Sequence, residues 1–193
     1  MIRPALLLLA LTSACLAQAP ASATAAGKFP ALNVQVTVGT QQRAEKGSFY
    51  RKTMNIEPKM TIEGPSRLVG VPAVEATMLI ITMDTRAKYK ENNEVFNVYT
   101  AETIQVPAAA TGDRRQFEFS PSSVTFDAYR DNSNVGGEVY KYYVFGLRDV
   151  ATKQIVDFKT NNPPLLTYIK AHPEKREEFL SLTKGSRFPT VFK

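Results

Sequence analysis

The chain has 193 residues, a formal net charge of +6, one cysteine, one histidine and no tryptophan. A single histidine excludes a metal site built from several histidines, and a single cysteine excludes a disulfide within the chain. Lysine and arginine are interleaved with aspartate and glutamate instead of forming a basic run. Composition therefore argues against nucleic-acid binding, which needs clustered positive charge.

The first residues are typical of a cleavable export signal. A short charged start precedes a mostly apolar run from Ala5 to Ala17, which is shorter than the roughly 20 residues of a permanent membrane helix. Small residues follow this run and provide cleavage sites of the A-x-A type. We predict a signal peptide over residues 1–23, with cleavage after Ala23 or Ala25, and no stable transmembrane segment after cleavage.

A lipid anchor is the alternative for this end of the chain. The stretch from Leu11 to Cys15 resembles a lipobox, whose cysteine receives lipid, but Thr12 stands where leucine is usual. Both interpretations place the protein outside the cytoplasm, in the periplasm or the extracellular space. The rest of the chain is predicted to form a disordered linker over residues 24–31 and a single β-sandwich domain with C-terminal helices over residues 32–193.

Alternating polarity predicts the first strand. Apolar and polar residues alternate from Leu32 to Val38, which is the period of a half-buried strand. Residues 39–47 are predicted to form a polar turn. A second extended stretch follows from Ser48 to Ile62, and Pro58 within it predicts an edge position or a bulge, because proline cannot donate to a ladder.

The middle of the chain contains the longest strand prediction. After a connection rich in glycine and proline over residues 64–72, an extended segment runs from Val74 to Lys90. Its centre, Met78 to Ile81, is apolar at every position, which predicts a central strand covered on both faces. Three further strands are predicted, at Glu94 to Val106, Gln116 to Phe119 and Val124 to Tyr129.

A β-hairpin is predicted next, with strands at Glu138 to Arg148 and Gln154 to Thr160. Its first strand is rich in aromatic residues, and apolar side chains again occupy both faces from Val139 to Leu147. Aromatic side chains contribute large burial energies. We therefore interpret this density as core and not as a platform for a ligand.

The period changes to helical at the C-terminal end. Asn162 is a suitable cap for a helix that starts at Pro163, and His172 with Pro173 ends that helix and begins another helical turn. The tail over residues 187–193 contains Phe188, Val191 and Phe192. We predict that it docks on the sandwich.

Together these elements predict a mainly β fold, an antiparallel β-sandwich of about eight or nine strands with a short C-terminal helical segment. The last third of the chain contains a progression of residues formed by Tyr129, Asp131, Asn132, Gly136, Gly137, Lys141, Tyr142, Tyr143, Arg148 and Asp149. With these residues the chain resembles uncharacterised exported proteins of immunoglobulin-like or fibronectin-like sandwich form. The resemblance implies no activity, and the chain lacks the cysteine and tryptophan marks of true immunoglobulin domains.

Two sets of residues are candidates for a catalytic site. A Ser-His-Asp triad would have to be built on His172, whose place between two helical turns gives no sign of that role. Paired carboxylates could instead hydrolyse a glycosidic bond, which makes a carboxylate-dependent hydrolase the alternative function. The candidate carboxylates are Glu118, Asp127, Asp131 and Glu138.

The segment from Asp131 to Glu138 offers oxygen ligands and glycines like those of calcium loops. Its spacing differs from that of an EF-hand, and one aspartate with one glutamate is a small charge complement for Ca²⁺. Asn, Asp, Ser and Gly are also the residues that turns require. We therefore predict a turn and not a metal site.

These observations favour a non-catalytic, exported binding or structural module of the cell envelope. Its expected partner is an envelope protein or a glycan, and we expect no nucleic acid. We predict no catalytic residue, no cofactor-binding residue and no metal ligand. A hydrolase and a surface-anchored lipoprotein remain the alternatives.

Overall fold

The computed structural model describes residues 29–128 and 136–192. The predicted signal peptide, most of the predicted linker, Cys15 and the segment from Asp131 to Val135 lie outside the described residues. Within the described part the protein is mainly β, with eight strands in two antiparallel sheets and short helices. The prediction of an antiparallel β-sandwich is confirmed.

The first sheet, sheet I, is built around a long hairpin. Its strands are β1 (Asn33–Ala44), β2 (Arg51–Glu63), β5 (Arg115–Glu118) and β6 (Ser122–Asp127). Strand β2 is central, because β1 pairs with one side of it and β5 and β6 share the other side.

The predicted turn over residues 39–47 is wrong. Strand β1 continues to Ala44, which pairs with Lys52, and the turn occupies residues 45–50. The sequence period failed there because residues 39–44 are exposed, so no buried face imposes an alternation of polarity.

Pro58 does not mark an edge or a bulge, since β2 is the central strand of sheet I. It lies opposite the break between β5 and β6, where the Phe119 N–H donates to the Pro58 carbonyl over 3.1 Å. Proline has no N–H to donate, and at Pro58 the neighbouring strand is interrupted, so no hydrogen bond of the ladder is lost there.

The second sheet, sheet II, consists of β3 (Val74–Asp84), β4 (Phe96–Val106), β7 (Glu138–Asp149) and β8 (Ile155–Thr160). Its strand order is β4-β3-β7-β8. Met78, Leu79, Ile80 and Ile81 in β3 are each at most 1% exposed, and β3 and β7 are both paired on two sides. The predicted central placement of these strands is confirmed.

The strand predicted from Val74 to Lys90 is too long, because its last part is helix α1 (Thr85–Lys90). The Asp84 carboxylate accepts hydrogen bonds from the backbone N–H groups of Arg86 and Ala87, at 2.8 and 3.1 Å. An aspartate in this position satisfies the free N–H groups of a helix start. The strand therefore ends at its own helix cap.

The space between the two sheets forms the first core. Residues of sheet I that alternate along β2 meet residues of one face of sheet II. The largest of its fully buried side chains are Ile56, Met60, Ile62, Met78, Ile80, Phe145 and Leu147.

A third layer covers the other face of sheet II. It consists of α2 (Pro163–Ala171), one turn of 3₁₀ helix (Pro173–Lys175) and α3 (Arg176–Leu180). The predicted cap is confirmed, because the Asn162 side chain accepts from the Leu165 N–H over 3.1 Å. These elements and sheet II enclose a second core with Leu79, Ile81, Val144, Leu165, Ile169, Phe179, Phe188 and Phe192 among its members.

The tail after α3 docks on sheet II, as predicted. The Phe188 N–H donates to the Phe96 carbonyl over 2.8 Å, and Arg187 forms a bridge with Asn97 of the edge strand β4. Phe188 and Phe192 are buried, whereas Val191 is 65% exposed. The tail thus supplies core residues and also leaves one apolar side chain at the surface.

Candidate functional site

His172 lies at the end of α2. Its ring lies against the Tyr168 ring with centroids 4.6 Å apart, and its Nδ1 is 3.4 Å from Glu174 Oε1. The side chain is about half exposed. Neither neighbour is the serine that a triad requires, so these contacts support a helix-end role.

The structure places the candidate carboxylates in different sheets. Glu118 lies on β5 of sheet I, where its Oε1 is 2.8 Å from Lys59 Nζ. The hydrogen bond and charge of Lys59 lower the pKa of Glu118. Asp127 ends β6 in sheet I, and its N–H donates to the carbonyl of Gly136, two residues before β7 begins. Asp131 lies outside the described residues.

Glu138 begins β7 in sheet II, and both of its carboxylate oxygens have donors. Thr82 Oγ1 donates to one oxygen over 3.0 Å, and Asn97 Nδ2 donates to the other over 2.8 Å. The carboxylate thereby ties β7 to β3 and β4.

The part of the predicted turn that is described, Gly136 to Glu138, packs tightly against β6. Gly137 has a φ of +83°, and a Cβ atom there would lie 2.0 Å from the Thr125 carbonyl oxygen. Glycine is required because other residues rarely adopt this conformation and because no space exists. Over residues 29–128 and 136–192, no group of three or more His, Cys, Asp or Glu residues is arranged to hold a metal ion.

The aromatic side chains of β7 pack on the two cores, which agrees with the prediction that they belong to the core. Phe145 is fully buried and Tyr142 is 4% exposed. Tyr140 and Tyr143 are partly buried against the first core, and burial raises the pKa of Tyr140 to about 12. These rings therefore stabilise the fold and offer no flat surface for a ligand.

The described surface has a shallow groove of about 550 Å³ beside α2. We call it the C-terminal groove. It is lined by Pro163, Pro164, Thr167, Tyr168, Val191 and Phe192.

One wall of the groove follows directly from the helix start. Pro163 and Pro164 occupy the first helical positions, where a missing N–H costs no hydrogen bond. Thr167 and Tyr168 are each four residues further on, so they lie on the same side of the helix one turn later. Proline rings have a fixed φ and lose little entropy on binding, which makes this wall rigid.

The tail supplies the other wall and the floor. Phe192 is 9% exposed and meets the Tyr142 and Phe188 rings edge-on, with centroids 6.4 and 6.2 Å apart. The Tyr142 hydroxyl is buried without a hydrogen-bond partner, and burial raises the pKa of this phenol. The Phe192 side of the groove is therefore apolar, and the polar side-chain groups of the lining belong to Thr167 and Tyr168.

Sequence reasoning did not identify this groove. Its walls are about 25 residues apart in the chain, and the periodicity of α2 indicates only the buried side, Leu165 and Ile169. The available signal was the pair of prolines at the helix start together with an apolar tail that ends in Val191 and Phe192.

Comparison with known proteins finds similar solved structures at low identity and low TM-score. No family model matches the chain, and no curated protein matches it. A calcium-binding mutant of β-glucuronidase 2 from Bacteroides uniformis is 12% identical with a TM-score of 0.32, over 65% of this chain but 12% of that enzyme.

Two smaller solved structures align over most of their own length. A protein of Akkermansia muciniphila is 12% identical with a TM-score of 0.32, over 69% of this chain and 72% of that one. A structural genomics target, SoR45, is 11% identical with a TM-score of 0.27, over 66% and 84% of the two chains. At these values the likenesses say nothing about activity or ligands.

Proposed function

We propose that the chain is an exported, non-catalytic binding module that contacts an envelope protein through the C-terminal groove. The observation that carries the proposal is the exposure of apolar side chains in this groove. Pro163 and Pro164 are exposed and Val191 is 65% exposed, while the neighbouring Leu165, Ile169 and Phe192 are buried.

The chemistry of the groove favours a protein over a glycan as the partner. Sugars are held by many hydrogen bonds, and the groove offers the hydroxyl groups of Thr167 and Tyr168 beside apolar walls. The buried core of a contact between two proteins is more apolar than the rest of their surface, and the groove has this character.

The non-catalytic part of the proposal is supported by the partners of the carboxylates. Glu118 is paired with Lys59, and Glu138 accepts hydrogen bonds from Thr82 and Asn97. Both carboxylates therefore connect neighbouring strands in the described part of the chain. A hydrolytic activity that is lost in both Glu118→Gln and Glu138→Gln would contradict this part.

Site-specific photo-crosslinking tests the groove. A photoreactive residue at Thr167, which is exposed, should give one discrete adduct with an envelope protein in intact cells. Val191→Asp should reduce the adduct about tenfold, because a carboxylate would be desolvated in the contact. Leu68→Asp is the matched control, since Leu68 is 94% exposed on a different loop.

The crosslinking result is decisive in both directions. An adduct that persists in Val191→Asp, or the absence of any adduct at Thr167, would contradict a partner in the groove. A glycan adduct that Val191→Asp also reduces would identify the partner as a glycan and would contradict a protein partner.

Export has its own test. We expect the mature protein to begin between Thr24 and Lys28 and to carry no lipid, because the A-x-A sites fit signal peptidase and the lipobox is imperfect. Intact-mass measurement of the cell-envelope protein decides this. A diacylglyceryl group on Cys15 would instead establish the lipoprotein, and an uncleaved chain in the cytoplasm would contradict export.

A further inference from the structure

The turn that joins β1 to β2 presents an exposed aromatic pair. Phe49 is 92% exposed and Tyr50 is 38% exposed. We call residues 45–50 the hairpin tip. Single exposed apolar side chains are ordinary on protein surfaces, so the feature that indicates a contact here is the pair of adjacent rings together with the cations around them.

Hydrogen bonds hold the tip in shape. The Ser48 N–H donates to the Glu45 carbonyl over 3.1 Å, and the Arg51 N–H donates to Ser48 Oγ over 3.0 Å. The Ala128 N–H donates to the Tyr50 carbonyl, which ties the tip to the end of β6. Phe49 therefore projects from a defined turn.

Positive charge surrounds the tip. The segment from Arg43 to Lys52 contains four cations and one acid, Glu45, which gives it a formal charge of +3. Arg51 lies 3.4 Å from Glu45 and pairs in register with Asp127 of β6, so these two acids offset part of the charge. The cations are Arg43, Lys46, Arg51 and Lys52.

The cations lie on both faces of the hairpin. Arg43 pairs with Thr53, and Arg51 has the same parity as Thr53, so both arginines share the outer face of sheet I. Lys52, which pairs with Ala44, is on the opposite face. Cations thus lie on both faces of the hairpin behind Phe49.

We propose that the hairpin tip inserts into the headgroup region of an anionic phospholipid membrane. An apolar tip with cations behind it matches the order of groups at such a surface, where phosphates lie above the acyl chains. Tyrosine favours the boundary between them, and phenylalanine is among the residues that interfacial segments bury there. A soluble polyanion would also attract the cations, but it would give a single projecting Phe49 no apolar medium to enter. This inference rests on the tip and is independent of the C-terminal groove.

Vesicle binding of the purified mature protein, from which the predicted cleavage removes both Cys15 and the apolar run from Ala5 to Ala17, tests the charge. We expect sedimentation with vesicles of phosphatidylcholine and phosphatidylglycerol, and release by salt, but little binding to phosphatidylcholine alone. Each of Lys46→Gln and Lys52→Gln should weaken binding about fivefold. Lys184→Gln, an exposed cation in the C-terminal segment, should leave binding unchanged.

Fluorescence tests the insertion. Because the chain contains no tryptophan, Phe49→Trp gives a single indole at the tip and Leu68→Trp gives one at a comparably exposed control site. The two sites are separated by the length of β2, whose thirteen residues span roughly 40 Å. We expect a blue shift on anionic vesicles for Phe49→Trp alone, and Phe49→Ser should weaken binding about tenfold.

Three outcomes would overturn the proposal. These are no binding to anionic vesicles, an equal blue shift at both sites, and binding to a soluble polyanion such as heparin that outcompetes the vesicles without a blue shift. The last outcome would identify the tip as a polyanion site. None of these variants changes a residue that lines the C-terminal groove. The crosslinking result at Thr167 is therefore independent of the vesicle result.

Discussion

Sheet I and sheet II use their strands differently. Sheet II is covered on both faces, by sheet I on one side and by the C-terminal helices and tail on the other. Sheet I buries one face, and its other face carries polar side chains such as Glu57, Lys59 and Thr61. One fold thus places a doubly buried sheet, whose central strands have continuous apolar runs, beside a half-exposed sheet, whose strands alternate apolar and polar residues.

The largest effect is expected for neighbouring residues of β3. Ile80 faces the first core and Ile81 faces the second. Both Ile80→Ala and Ile81→Ala should lower the free energy of unfolding by about 2–5 kcal/mol, because each leaves a cavity. Phe145→Ala in β7 should cost a similar amount. Chemical denaturation measures these values, and a small effect at either isoleucine would show that one face of sheet II is open.

A close contact between β7 and α3 gives the next largest effect. A Cβ atom on Gly146 would lie 2.1 Å from Leu180 Cδ1. Gly146→Ala should therefore cost about 1–3 kcal/mol through overpacking. Leu180→Ala in the same chain should recover part of this loss, so that the two changes are not additive in denaturation experiments. Strict additivity would mean that α3 does not rest on Gly146.

The turn between β7 and β8 should respond to pH more than the turn between β1 and β2. Asp149 is 6% exposed and accepts from Thr152 Oγ1 over 2.6 Å and from the Ala151 N–H over 3.1 Å. The Thr152 hydroxyl bond and the backbone bonds lower the pKa of Asp149. Its stabilising contribution is complete above the unfolded-state pKa of about 3.9 and is lost as pH falls through the lower folded-state pKa.

Asp149→Asn should therefore lower the free energy of unfolding by about 1 kcal/mol at pH 7, and the difference from wild type should shrink between about pH 4 and pH 2. Glu45→Gln, in the exposed turn of sheet I, is the control and should change stability by less than about 0.5 kcal/mol. Thermal melts across this pH range measure both. A difference at Asp149 that does not vary with pH would contradict the role of its charge.

The smallest effect is expected on the outer face of sheet I. Glu57 is exposed beside the fully buried Ile56 on the same strand. Glu57→Ala should change the free energy of unfolding by less than about 0.5 kcal/mol, whereas Ile56→Ala should cost about 2–5 kcal/mol. Similar losses at both positions would indicate a second covered face on sheet I.

The same contrast explains which parts of the fold were predictable. In sheet II, continuous apolar runs such as Met78 to Ile81 required burial on both sides, and the central strands followed. In sheet I, the alternation of apolar and polar residues from Leu32 to Val38 predicts a strand. The alternation stops at Val38 because the rest of β1 has no buried face. Residues 40–44 pair through backbone groups that have no side-chain signature, so the sequence could not show them as strand.

The sites were less predictable because they depend on contacts between distant segments. Asp84 caps α1, which the sequence predicts as the end of a long strand. Pro163 and Val191 line the same groove because the tail folds back over sheet II. Because the sequence predicts a turn over residues 39–47 and an extended stretch from Ser48, Phe49 falls in the predicted second strand and not at the hairpin tip. Once the turn is placed at residues 45–50, Phe49 stands at its end.

Amide hydrogen exchange of the intact protein tests the two-sided burial of sheet II most directly. We expect the slowest exchange in the centres of β3 and β7, around Ile80 and Val144, because both layers must open before these amides meet water. The distal part of β1, residues 40–44, should exchange much faster although it is also strand. Equal protection of these segments, or fast exchange in β3, would contradict the three-layer arrangement.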